Sequence, residues 1–387
     1  MAVHPDLHQG YVLACQSLGR PENPFIACVL QEADKIRCSK GITLKIAGNN
    51  HLEPVQRVTD DDLQVLASVL SNTVFVTGLD LRYNALTDAA AKHVAAFLQR
   101  NETLVYLRMT GNKIGNKGGM FFASMLQINS TLEKLDLGDC DMGTQSLIAT
   151  ATALTQNKSV KAINLNRPLL YSQEEETTVH VALMLKKNSS LVELHLCKHE
   201  MKNFGVERLC EALYENSSLK YLDLSCNEIT RDGVKFLAEL LKRNQTLEIL
   251  DLNANRMEDD GAIYLSEALA LNNRTLQALS VVSNNISGKG LTALADAMKA
   301  NMELSYIYIW GNKFDEATCI AFSELIETGR LKPNRTDVEP YEVEGHVHLA
   351  ELSYGLKKHY YWTPSCGEGT NRDANASLAV TAVSEHL

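Results

Sequence analysis

Leucine and other aliphatic residues recur along the chain in one pattern with a period of about 28 residues. The clearest copy, 219–246, reads LKYLDLSCNEITRDGVKFLAELLKRNQT. Leu222 and Leu224 alternate with polar residues, which predicts a short strand with one buried face. Gly233 then opens a segment whose leucines are four residues apart, as on one face of a helix. Each copy therefore predicts one strand followed by one helix.

Nine clear copies are in register, and a degenerate copy around Leu44 and Ile46 precedes them. The clear copies begin at Val76, Leu104, Leu132, Val160, Leu191, Leu219, Leu247, Leu276 and Leu304. One strand–helix unit cannot bury its apolar stripe alone, whereas stacked units share a continuous core. Helices are wider than the strand spacing of about 4.8 Å, so the stack must curve. The sequence therefore predicts an α/β leucine-rich-repeat solenoid, a horseshoe with a parallel concave sheet and outer helices.

The chain divides into three regions on this pattern. Residues 1–40 do not repeat, and they predict a helical N-terminal cap of two helices with N-caps at Asp6 and Asn23. About ten repeats follow over 41–330. The C-terminal tail, 331–387, is expected to be partly disordered. Its basic, aromatic segment YGLKKHYYW predicts either contact with nucleic acid or an acidic partner, or folding back over the last repeat.

The fifth copy is irregular. Pro168 replaces the asparagine that follows the strand in other copies, and three extra residues fall within 171–176, a stretch that includes Glu174. Insertions in repeat proteins map to loops and are often contact sites. A tolerated surface insertion is the alternative.

The consensus LxxLxLxxNxIxxxGxxxLxxxL at a 28-residue period resembles the ribonuclease-inhibitor-like family of leucine-rich repeats over about 41–330. The resemblance implies an intracellular protein–protein interaction scaffold that binds a partner through its concave face and has no cofactor. A narrower resemblance, to one group of vertebrate proteins within this class, implies the cytoplasm, the nucleolus or the axoneme of motile cilia.

Net charge, hydropathy and cysteine content limit the classes of partner and the compartment that the sequence allows. The formal net charge of -10 disfavours direct binding of duplex nucleic acid and favours a basic protein partner. No apolar stretch is long enough for a membrane span, and the first residues do not resemble a signal peptide. The nine cysteines are odd in number and include no CxxC pair, so free thiols in a reducing compartment are expected. Either a monomer or a component of a larger assembly fits these features.

Asn-x-Ser/Thr recurs at the repeat period, for example at Asn101, Asn129, Asn216, Asn244 and Asn273. In a secreted protein these asparagines would be glycan acceptors. Because they follow each predicted helix, a structural role is the alternative. Asparagine tolerates the left-handed conformation at a helix end, and Ser or Thr can hydrogen-bond in the following turn.

Strand residues between the buried leucines are expected on the concave face, where a partner would bind. The candidate partner-binding residues are Tyr306, Tyr308, Trp310, Asp223, Asp251, Asp136 and Asp80. The three aromatics must be covered, either by a partner or by the tail through Tyr341 or Trp362. If the tail covers them, they form an end cap, and a partner must use the Asp80–Asp136 region or the Glu174 insertion.

One group of residues suggests chemistry. His195 and Cys197 share a face and Asp223 lies on the next strand, as in a nucleophile system, while His195, Cys197 and His199 suggest a metal set. A shallow parallel sheet offers no oxyanion hole or closed pocket, and His199 occupies the asparagine position of the repeat. No catalytic or metal site is therefore predicted, and no enzyme. The alternative function is a GTPase-activating protein of the Ran type, although the acidic C-terminal tract of that family is missing here.

Overall fold

A computed structural model describes residues 6–36, 41–49, 55–71, 73–171, 175–352 and 381–382. The chain forms two compact units. Unit 1 comprises 1–171 together with 371–387, and unit 2 comprises 172–370.

Unit 1 alternates parallel strands with helices. Its helices are α1 (Leu7–Leu18), α2 (Pro24–Ile36), α3 (Asp60–Leu70), α4 (Asp88–Leu98), α5 (Asn116–Leu126) and α6 (Thr144–Leu154). Its strands β1 (Ile42–Lys45), β2 (Val76–Asp80), β3 (Tyr106–Arg108), β4 (Lys134–Asp136) and β5 (Ala162–Asn164) pair in chain order. A short strand, 381–382, pairs antiparallel with β1.

Unit 2 continues the same alternation. Its helices are α7 (Glu176–Lys187), α8 (Asn203–Leu213), α9 (Arg231–Leu241), α10 (Glu258–Leu271), α11 (Gly288–Ala300) and α12 (Glu316–Glu327). Its strands β6 (Glu193–His195), β7 (Tyr221–Asp223), β8 (Ile249–Asp251), β9 (Ala278–Ser280) and β10 (Tyr306–Tyr308) are parallel neighbours. A 3-10 turn (Pro333–Arg335) and an antiparallel hairpin of β11 (Val338–Val343) and β12 (His346–Glu351) follow.

The predicted leucines form the core of each unit. The strand register places Leu222 beside Leu250, and both side chains are fully buried. Leu237 of α9 is also fully buried, so the strand and the helix of one copy contribute to the same apolar interior. The predicted α/β leucine-rich-repeat fold is confirmed. No helix in the described part of the chain is long and apolar enough to cross a membrane.

The asparagine that follows most strands joins neighbouring copies. The Asn227 side-chain amide donates to the carbonyls of Leu196 and Leu224, at 2.9 Å each. Its Oδ1 accepts from the backbone N–H groups of His199 and Met201, at 2.9 and 3.1 Å. The side chain therefore satisfies buried backbone groups in a turn where no strand or helix can satisfy them.

Helices begin slightly earlier than the sequence predicts. The helix of the clearest copy begins at Arg231, with Thr230 as its N-cap, rather than at Gly233. The glycine is needed for a different reason, because a Cβ at Gly233 would lie 2.6 Å from Oδ1 of Asn203 in the preceding helix. Close approach of consecutive helix ends, rather than helix initiation, explains the recurrent glycine.

The Asn-x-Ser/Thr motifs have a structural role. Asn216 donates to the carbonyls of Leu185 and Asn188 in the preceding copy, and its Oδ1 accepts from the N–H groups of Ser218 and Leu219. The expected left-handed conformation at these asparagines is wrong, since none of them has a positive φ. Bridging between copies is the physical reason for the asparagine.

After the last helix, two side chains form the hydrogen bonds that a further repeat would form. Arg330 donates to the carbonyls of Met298, Asn301 and Leu304, in place of the helix-end asparagine of a next copy. Asp337 accepts from the backbone N–H groups of Ile309 and Trp310, at 2.9 and 3.0 Å, in place of a next strand. The open end of the unit 2 repeats is thus closed by side chains.

Candidate functional site

Side chains that alternate with the buried strand leucines form one face of the sheet in each unit, here called the inner face. On β3, Tyr106 and Arg108 are half-buried while Leu107 between them is fully buried. The same alternation holds on the other strands. The residues of the inner face can therefore differ from copy to copy while the buried leucines recur.

In unit 1 the inner face carries a row of charged side chains. The strand register places Lys45, Asp80, Arg108 and Asp136 beside one another on β1 to β4. Three ion pairs connect Asp80, Arg108 and Asp136 with Arg82: Arg82 Nε to Asp80 at 3.2 Å, Arg108 Nη1 to Asp80 at 3.9 Å and Arg108 Nε to Asp136 at 3.1 Å. Burial raises the pKa of Asp80, and the two arginines oppose that rise.

The four aspartates predicted to bind a partner also have a structural role that the sequence analysis missed. In each, Oδ1 accepts from the backbone N–H two residues further on; the donors are Arg82 for Asp80, Gly138 for Asp136, Ser225 for Asp223 and Asn253 for Asp251. Recurrence of Asp or Asn at this strand position was the available signal. Each aspartate closes the turn after its strand and keeps only its second oxygen for other groups.

In unit 2 the inner face holds a buried histidine between two carboxylates. His195 Nδ1 lies 3.0 Å from Asp223 Oδ2, and its Nε2 contacts Glu193. The ring also packs edge-on against Tyr221, with 4.8 Å between ring centroids. Burial alone would lower the pKa of His195, but the two carboxylates outweigh burial and raise it to about 10. His195 is therefore an imidazolium at neutral pH.

This geometry does not suit a nucleophile and its base. Both ring nitrogens of His195 contact carboxylates, so neither is left to accept a proton from Cys197. Burial also raises the pKa of the Cys197 thiol to about 12, which keeps it protonated. The backbone N–H of His199 donates to Asn227 within the asparagine ladder. No group of three or more His, Cys, Asp or Glu in the described ranges could hold a metal ion.

Asp251, on the strand beside Asp223, is also an acidic residue of this face. Burial and the charge of Asp223 raise the pKa of Asp251 well above its usual value. Burial opposes ionisation of Asp223 too, but hydrogen bonds from His195 and Ser225 outweigh it and lower its pKa.

An apolar cluster occupies the rest of the inner face of unit 2. Its members are Tyr221, Ile249, Ala278, Tyr306 and Tyr308, all buried, with Val282 packed against them. On β7 to β10 the inner face is therefore partly apolar. Tyr221, Ile249, Ala278 and Tyr306 are 28 or 29 positions apart in the chain, so the strand register is needed to reveal that they are neighbours.

The predicted aromatic site on β10 is largely covered. Tyr306 and Tyr308 are 6% and 1% exposed, and only Trp310 is half-buried. The Arg335 guanidinium lies over the Tyr306 ring, 4.7 Å from its centroid.

The cover differs from the one expected. Tyr341 is 49% exposed and stacks with His348 instead, while Trp362 and Glu174 lie outside the described residues. Arg335, from the segment after the last helix, thus covers one of the three rings, and the choice between an end cap and a partner site stays a prediction. Partner binding by the predicted residues stays a prediction.

Comparisons with known proteins agree with this architecture. The leucine-rich-repeat family model matches residues 100–123, 129–149, 215–238, 243–266 and 272–295. Leucine-rich repeat-containing protein 34 of mouse is 53% identical over 98% of this chain and 99% of the relative. The human protein of the same name is 56% identical over 98% of this chain and 88% of the relative. The rat protein is 53% identical over 98% and 99%.

Proposed function

This chain belongs to the family of leucine-rich repeat-containing protein 34, and from that premise we propose that it is an intracellular scaffold whose inner faces bind protein partners. The narrower resemblance seen in the sequence is confirmed by these relatives. A repeat array presents a long regular surface, and such surfaces typically serve binding.

The observation that carries the proposal is the charged row of unit 1. Asp80, Arg82 and Asp136 are buried, and Arg108 is half-buried, yet none of them belongs to the leucine core. Replacing a whole buried ion pair by apolar side chains is often neutral or stabilising, so the stability of the fold does not by itself explain the ion pairs of this row. Arginine is, by contrast, enriched at protein interfaces, where complementary charges contribute specificity. Recognition of a partner accounts better for the row than stability does.

The inner face of unit 2 supports the basic partner that the sequence suggested. Despite burial, hydrogen bonds from His195 and Ser225 lower the pKa of Asp223, which favours a cationic group nearby, whereas burial raises the pKa of Asp251. Half-buried Trp310 is an aromatic anchor beside this face. Neither a membrane nor duplex nucleic acid is proposed as a partner.

For the compartment, we propose the cytoplasm and nucleus, including the nucleolus, with the axoneme of motile cilia as the alternative. Free thiols are suited to a reducing compartment. Imaging of the tagged chain in ciliated cells distinguishes these sites.

The test of the scaffold function compares two positions in unit 1. A photo-cross-linking amino acid replaces Lys134 on the inner face or exposed Lys117 on α5, and cells are irradiated before mass spectrometry. We expect discrete protein adducts from position 134 and few from position 117. Arg108→Gln should reduce the adducts at position 134. Equal adducts from both positions, or adducts from the helix side alone, would contradict binding on the inner face.

A further inference from the structure

Two buried hydrogen-bonding groups on the inner face of unit 1 have no partner among the described residues. They are Nε of Arg82 and the hydroxyl of Thr110. The Asp80 carboxylate lies 3.2 Å from Nε, but the contact lacks hydrogen-bond geometry and is only an ion pair. Arg82 is 8% exposed, so water does not readily replace the missing acceptor.

The two groups lie side by side. Arg82 follows β2 and Thr110 follows β3 at the same position of their copies. The next residue, Tyr83, donates its backbone N–H to the Thr110 carbonyl at 2.8 Å, which fixes the two strand ends against each other. In the following copy this position is Gly138, which has no side chain to supply an acceptor. Buried donors without a hydrogen bond are destabilising, so these two side chains lack an acceptor that a bound group could supply.

The net charge of this face indicates which kind of acceptor would bind to the two donors. Among the described residues of this face, four cations (Lys45, Arg82, Arg108 and Lys134) accompany two anions (Asp80 and Asp136), which leaves a surplus of two positive charges. Each aspartate already gives one oxygen to a backbone N–H and the other to arginine. The surplus is local, because the whole chain has a formal net charge of -10.

We propose that the inner face of unit 1 receives an acidic side chain of a protein partner, whose carboxylate accepts hydrogen bonds from Arg82 and Thr110. The inference deepens the proposed scaffold function and rests on it. A carboxylate fits because it is an acceptor at both oxygens and carries the opposite charge. The formal net charge of -10 opposes the approach of a nucleic-acid backbone, so a carboxylate of a protein partner is favoured over a phosphate.

Thr110→Val separates recognition from folding. Valine has the shape of threonine without its hydroxyl, and that hydroxyl has no partner in the described structure. The substitution should therefore leave the unfolding midpoint unchanged or raise it, because an unsatisfied buried group is removed. It should nevertheless weaken binding of an acidic peptide, by about threefold or more, through loss of one hydrogen bond.

Arg82→Met tests the cation, and Arg167→Gln is its matched control. Arg167 belongs to the same unit, but its side chain is 53% exposed and pairs with Asp139 at 3.2 Å. Both substitutions remove one positive charge from unit 1. Arg82→Met should weaken binding by about tenfold or more, since a charge-assisted bond is lost, whereas Arg167→Gln should change it little.

The experiment measures fluorescence anisotropy of a labelled peptide of alternating Glu and Ser with the full chain and each variant. A matching Lys–Ser peptide and a single-stranded oligonucleotide serve as the other probes. Binding of the Glu peptide that depends on Arg82 and Thr110 but not on Arg167 supports the inference. Three results would overturn it: no binding of the Glu peptide, equal weakening by Arg167→Gln, or oligonucleotide binding with the same dependence on the variants. Loss of the acidic-peptide binding with retained cross-links from position 134 would leave the scaffold function standing and reject the carboxylate alone.

Discussion

Removing one ladder asparagine, by Asn227→Ala, should destabilise the protein by about 3–5 kcal/mol. The Asn227 side chain is 6% exposed and connects two neighbouring copies. Without it, the N–H groups of His199 and Met201 lose their acceptor, and the carbonyls of Leu196 and Leu224 lose a donor. An orphaned buried polar group costs about 1–3 kcal/mol, and partial access of water to the turn reduces the sum for the four groups.

Urea unfolding at 25 °C, followed by circular dichroism, measures the loss as a shift of the midpoint. The control is Glu239→Ala, which removes an exposed carboxylate paired with Lys242 on α9. Such an exposed pair contributes about 0.3–0.5 kcal/mol, so the control should shift the midpoint little. If Asn227→Ala lost less than about 1 kcal/mol, the ladder would not be the source of stability that its contacts suggest.

Two further predictions concern titration and thiols. Burial raises the pKa of Asp337 to about 6, although the N–H groups of Ile309 and Trp310 oppose the rise. The protonated Asp337 therefore stabilises the fold fully at low pH, and this stabilisation is lost as pH rises from about 4 to 6. Asp337→Asn should flatten the pH dependence of the unfolding midpoint over that range. An unchanged pH profile in this variant would rule out Asp337 as the titrating group. All nine cysteines should react with a thiol probe after denaturation without reductant; protected pairs that react only after reduction would contradict the intracellular assignment.

The sequence specified the repeat because its signal is local and is present many times. Leu222 and Leu224 alternate within one strand, and the same alternation recurs in the neighbouring copies. A short strand with one apolar face has no stable state except against a similar neighbour, so the pattern determines the stack. The N-caps at Asp6 and Asn23 were predictable for a similar reason, since each accepts from backbone N–H groups two or three residues away.

The character of the inner face was decided by the tertiary structure. An aspartate at a strand end can bind a partner, pair with arginine or close its own turn, and Asp80 does the last two. The choice depends on Arg108, which is 28 residues away in the chain but beside it in the sheet. Periodicity indicates which positions become neighbours, but not how their charges and hydrogen bonds are shared.

The contacts that cover the last strand of the repeat array were the feature least predictable from the sequence. From the alternation in the sequence, Tyr306 and Tyr308 were expected to lie on the concave face and to need a cover, but the sequence did not show which residues cover them. Arg335 and Asp337 contribute to that cover from a segment that belongs to no repeat. A non-repeating segment makes contacts that no other copy displays, so its position follows from three-dimensional packing and not from the period of the sequence.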